Sequence, residues 1–234
     1  MKLTRAMILA ALASMLMPVR SEAGLDPVEL AAAESQATNS LITFQGFITA
    51  QNFELLGFTS DVEILSAATA KPLLIYTVPL SRLINYQPTN DFSPLLYPDP
   101  QLNPAPVRRV IVPVVAGTAV RSSFSLRLVT PAPNARWTNA NWGYPNLIRA
   151  LVATAQSIPP SQLLQGKDPF IVEIPVFDVW LIGYWNNDTP SKLILVSPAE
   201  MRFGAALIQL HQVVTPEAMY QIRLAAERYH GLAN

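Results

Sequence analysis

Proline and acidic residues punctuate the apolar pattern of this chain, and the runs between them predict its helices. Asp26-Pro27-Val28-Glu29 has the form of a capping box with proline at the first helical position. The Asp26 carboxylate can accept from the third helical amide while Glu29 reaches back, so a helix is expected to about Ala37. Ser60-Asp61-Val62-Glu63 repeats that logic ahead of Ile64, Leu65, Ala67 and Ala68 and predicts a helix over 61–70. Ser197-Pro198-Ala199-Glu200 is a third such start, leading into a helix over 201–210. Thr215-Pro216-Glu217 opens the last one, in which Met219, Ile222, Ala226 and Tyr229 share a face and Gly231 supplies a left-handed stop. Over 145–156, Leu147, Ile148, Leu151, Val152 and Ala155 take the spacing of an amphipathic helix that Pro159-Pro160 ends.

Short apolar runs bounded by proline predict strands at 73–78, 107–115, 119–129, 170–174 and 192–196. In the third of these, Arg121, Ser123, Ser125 and Arg127 alternate with Val120, Ser122, Phe124, Leu126 and Leu128, which predicts a sheet with one wet face. Helices interleaved with such strands make the expected class α/β (α+β), with a mixed sheet and packed helices. The proline-dense stretch 87–106 is the best candidate for a linker, giving an N-terminal α/β unit over 24–106 and a C-terminal one over 107–234.

Two segments read as copies of one unit. Pro72-Leu73-Leu74-Ile75-Tyr76-Thr77-Val78-Pro79 lies on Pro169-Phe170-Ile171-Val172-Glu173-Ile174-Pro175 with one gap. Each is preceded by an expected helix. Each is followed by a helix-compatible turn, Leu83 to Tyr86 or Trp180 to Tyr184, and then by a second strand, Pro94 to Tyr97 or Leu193 to Val196. A proline-rich apolar chain can also produce such a match by chance. The C-terminal unit resembles the Tic-twenty-two-like proteins, on Leu147 to Val152, Phe170 to Ile174 and Lys192 to Glu200. These are exported cyanobacterial proteins related to a chloroplast intermembrane-space import component. The resemblance implies two pseudo-symmetric α/β lobes and a chaperone-like role toward envelope proteins.

The first 23 residues read as a cleavable signal peptide: Lys2 and Arg5, an apolar run from Ala6 to Met17, and small residues at Ser21 and Ala23. That run is too short to span a bilayer, and no transmembrane span is expected once it is removed. A periplasmic location follows as an expectation. With no cysteine there is no disulfide, no thiol nucleophile and no thiolate metal site, so burial has to hold the exported fold together. Only 14% of residues are charged and the two signs balance, which argues against a nucleic-acid partner.

Candidate chemistry is sparse. His211 and His230 are expected at helix C-termini, where backbone carbonyls favour an imidazolium, in capping or surface roles. Metal-ligand spacings and glycine-rich phosphate loops are missing, and no cofactor is expected. Glu173 and Asp178 flank Pro175 and could form a carboxylate pair, but they read more simply as a wet edge-strand residue and a first-turn helix residue. All four tryptophans fall in the second half of the chain. Trp137, Trp142 and Tyr144, with Trp180, Tyr184 and Trp185, are the candidate partner-binding residues. Trp180 and its neighbours also fit a core, whereas Trp137 and Trp142 are expected at the surface. The resulting expectation is a non-enzymatic, exported binding or chaperone-like protein whose partners are other envelope proteins or unfolded polypeptide. The alternatives are a structural periplasmic subunit of a secretion or conjugation complex, and an exported hydrolase.

Overall fold

The computed structural model describes residues 25–87, 91–96, 108–157, 169–186, 189–197, 200–203, 206–209 and 211–233; the expected signal peptide lies outside them. The first helix, α1 (Pro27–Phe47), runs well past Ala37 because Leu41 and Phe44 continue the buried stripe of Ala33 and Ala37. Asp26 caps it through the Val28 amide at 2.8 Å, one residue earlier than a capping box requires. Glu29 does not reach back. Its buried carboxylate pairs with Arg108 and accepts from the Ala132 amide at 3.3 Å, tying the helix to the sheet.

After a 3₁₀ turn at Glu63–Ser66 come β1 (Ala67–Thr69), β2 (Leu73–Thr77), α2 (Leu80–Asn85) and α3 (Ser93–Leu96). Next are β3 (Arg109–Ala116), β4 (Ala119–Thr130), β5 (Arg136–Trp142) and α4 (Pro145–Ser157). The chain continues through β6 (Phe170–Ile174), a 3₁₀ turn at Pro175–Phe177, β7 (Val179–Asn186), β8 (Thr189–Ser197), a β9 (Glu200–Phe203) and β10 (Ala206–Gln209) hairpin, and α5 (Pro216–Ala233). The fold is α/β around one eight-stranded mixed sheet of order β5-β4-β3-β2-β6-β7-β8, with β1 also paired to β3. Pro113 in β3 is tolerated because its missing N–H faces the break between β1 and β2, where its carbonyl accepts from Ala70 at 2.9 Å.

One sheet face carries α1 over Val110, Val112, Phe124 and Leu126, and α2, α3 and α5 over Phe170, Val172, Leu181 and Leu195. The other face carries α4, whose Ile148 and Leu151 sit on Ile111, Ile171, Ile182 and Ile194. The middle of β4 therefore has no wet side: α4 crosses it, and Ser122, Ser123 and Ser125 are buried.

Other expectations are corrected as well. The helix over 61–70 gives way to a single 3₁₀ turn and β1, because Glu63 is engaged elsewhere. Its carboxylate accepts from the Thr59 amide (2.6 Å), the Thr59 hydroxyl (2.8 Å) and Arg121 (2.8 Å), and Ala67–Thr69 joins β3. The helix over 201–210 is the β9–β10 hairpin, paired Met201↔Ile208, with Ile208 inserted under α5. The pattern from Trp180 to Tyr184 is strand β7, apolar on both faces because both are covered, while 94–96 is helical in α3. Of the expected linker, the described part is not free-standing: Phe92, Leu95 and Leu96 are core residues. The sheet crosses the expected boundary between units, since β2 lies between β3 and β6. The two segments read as copies are neighbours there, a parallel pair in register Ile75↔Ile171.

Burial pulls the Glu63 carboxyl up, but the two Thr59 hydrogen bonds and Arg121 outweigh it and hold its pKa below the ordinary 4.5. A depressed acid contributes stability that is present above its unfolded pKa and lost as pH falls through the folded one. Wild type is therefore expected to exceed Glu63→Gln in urea midpoint at pH 7, by a margin that narrows as pH falls below 4.5. A constant gap across that range would contradict the assignment.

Candidate functional site

A cleft of about 550 Å³ opens on the α4 side of the sheet, within the size range of ligand sites. Tyr144, Pro145, Asn146, Leu147 and Ala150 form one wall; Asp178, Trp180, Val196 and Ser197 form the other. Each wall follows from local sequence. Gly143, at φ 71°, turns the chain out of β5, and Pro145 then starts α4 with its ring at the first helical position. Ser123 pins this turn by accepting from the Gly143 amide at 2.9 Å. On the other side the 3₁₀ turn after Pro175 ends at Asp178, whose left-handed φ of 51° is one that aspartate tolerates. The chain then enters β7, where Trp180 stands between Glu173 and Ser197 on neighbouring strands.

Glu173 is not on an edge. Central β6 carries it, and its carboxylate accepts from Thr77 Oγ1 at 3.0 Å and from Arg109 at 2.7 Å. Asp178 is exposed at the cleft rim just after a helical turn, with no ion pair to a described residue. The imagined carboxylate pair is thus split between a salt bridge and an open rim. Beside them, burial raises the Tyr144 phenol above its ordinary pKa; Glu173 adds to this, while Arg109 and Asn141 oppose it. Tyr144 is a neutral hydrogen-bonding group at pH 7.

Of the six aromatic candidates, the cleft brings together Tyr144 and Trp180. Neither stacks on another ring among the described residues, and the Trp180 indole N–H has no hydrogen-bond partner among them. Trp137 and Trp142 are not a surface pair. Trp137 is 4% exposed and donates Nε1–H to the Glu29 carbonyl at 2.9 Å. Trp142 stacks on Phe44 at 5.6 Å. Tyr184 is buried under α4 with no partner for its hydroxyl among the described residues, and burial pushes its pKa up to about 12. The Trp185 side chain lies outside the described residues.

His211 is not at a helix end but in a turn, at φ 65°, beside α4. Thr154 spends its one proton on the Ala150 carbonyl (2.8 Å), so the 3.0 Å contact requires His211 Nδ1 to be the donor. His230 does lie in the last turn of α5. Sequence reasoning passed over Arg109 and Ser197. Only the parallel β2–β6 pairing and the β7–β8 register reveal them, and neither leaves a local sequence signal.

Among the described residues there is no grouping of three histidines and acids that could hold a metal ion, and no helix is long and apolar enough to cross a membrane. No family model, no curated protein and no solved structure matches the chain.

Proposed function

We propose that this is a non-enzymatic, exported, periplasmic binding protein, chaperone-like toward envelope proteins, that takes an extended polypeptide segment in the Tyr144–Trp180 cleft. The observation that carries the reading is the lining of that cleft. Leu147 and Ala150 on one wall and Val196 on the other offer apolar surface. Around it the Trp180 indole N–H, the Ser197 hydroxyl and the Asp178 carboxylate make no hydrogen bond to a described residue. A peptide backbone needs both donors and acceptors, and these groups supply both beside an apolar pocket for a side chain. The resemblance to Tic-twenty-two-like proteins points the same way.

The test is fluorescence anisotropy with a labelled, unstructured peptide of alternating leucine and serine. Trp180→Ala is expected to weaken binding about 10–30-fold, the scale of a central aromatic anchor. Arg228→Gln, exposed on α5, should leave it unchanged. Equal affinity of the Trp180 variant and wild type would remove the reading. Recovery of the protein only in a complex of fixed stoichiometry would select the structural-subunit alternative.

A further inference from the structure

The second half of α1 and the loop behind it fold as one piece with an unusual surface. Asn52 Nδ2 donates to the Phe47 carbonyl at 2.7 Å, Gln45 Nε2 donates to the Ile64 carbonyl at 3.2 Å, and Phe58 is buried against Phe44. Outside this frame stand Ile42, Phe47, Leu55, Val62 and Leu65, from 48% to 78% exposed. Five large apolar side chains left in solvent by one folded segment mark an interaction surface.

Charge says what kind of partner fits. Between Leu25 and Ala70 the chain holds Asp26, Glu29, Glu34, Glu54, Asp61 and Glu63 and no lysine or arginine. Two of these acids are neutralised, Glu29 by Arg108 and Glu63 by Arg121, and Asp26 caps α1. Glu34, Glu54 and Asp61 are exposed and make no ion pair with any described residue. The face is therefore apolar with uncompensated negative charge. An anionic lipid surface or a nucleic acid is repelled by it, and a second copy would set like charges against one another.

We infer that this face docks a basic amphipathic polypeptide segment, whose apolar side chains cover Ile42, Leu55 and Leu65 while its lysines or arginines meet Glu54 and Asp61. Apolar anchors supply the affinity and the flanking charges the selectivity, as in helix-in-groove recognition. None of these five side chains lines the Tyr144–Trp180 cleft, although the loop that carries Leu55 abuts the cleft residues Gly143 and Pro145.

The experiment uses the full chain and a labelled helical peptide of leucine and lysine at 3.6-residue spacing, roughly five turns long. Binding is expected, weakening as salt rises. Glu54→Gln/Asp61→Asn and, separately, Leu55→Ser/Leu65→Ser should each weaken it about tenfold with the circular-dichroism spectrum unchanged. Glu217→Gln on α5 should not. Three results would overturn the inference: equal binding of a peptide with glutamate in place of lysine, no response to either double variant, or uptake by phosphatidylglycerol vesicles in preference to the peptide.

Discussion

Phe44→Ala is expected to lower the unfolding free energy by about 3–5 kcal/mol, the largest loss from any single truncation on the α1 side of the sheet. Phe44 is fully buried, and its ring lies 6.3 Å from Phe58, 6.0 Å from Phe124 and 5.6 Å from Trp142. Those neighbours belong to the loop after α1, to β4 and to β5, so a cavity at this point touches three elements that cannot collapse on it together. A urea titration followed by tryptophan fluorescence measures the loss, since Trp142 reports on the same contact. A change below about 1 kcal/mol would mean the cluster repacks freely and that α1 is only loosely held.

Gly57→Ala is expected to cost about 3 kcal/mol or more, from two sources. The residue sits at φ +92°, which side-chain-bearing residues rarely adopt, and an added Cβ would stand 2.1 Å from the Arg121 carbonyl oxygen and 2.7 Å from Pro145 Cβ. The oxygen belongs to the backbone of β4 and cannot swing aside. Gly46 in α1 provides the opposite sign: nothing lies within 4 Å of its added Cβ, and alanine there should stabilise by roughly 0.5–1 kcal/mol. Thermal melts of the two variants side by side are expected to move in opposite directions. Parallel shifts would show that the approach of the loop to β4 is not what Gly57 secures.

Elements whose own periodicity matches their burial were legible in the sequence. Ile148 and Leu151 of α4, Met219 and Ile222 of α5, and the apolar runs of β2, β3 and β6 all read correctly, because local pattern and tertiary position agree. The failures share one cause. Ser60 to Glu63 looks like a helix start, but Glu63 finds Thr59 and Arg121, and the open side of β3 takes the following residues as β1. Trp180 to Tyr184 has no helical or alternating pattern that survives being covered on both faces. Of the candidate site, the aromatic residues were visible as a concentration. Which of them meet was not, because Tyr144 and Trp180 are joined only by α4 lying over β7 and β8. The polar runs around Trp137 and Trp142 suggested a loop, yet β5 packs both rings under α1.

The partnership of β2 with β6 joins residues such as Thr77 and Glu173, 96 positions apart. Delivery from the N-terminus presents the first of these strands before its neighbour, and the β3–β4–β5 meander can assemble from nearby pieces in the interval. Until the later half arrives, the incomplete molecule carries an open, hydrophobic ribbon at what will become its middle, inviting adhesion to other unfolded chains. Handling before completion, more than fragility afterward, is where this architecture is most exposed.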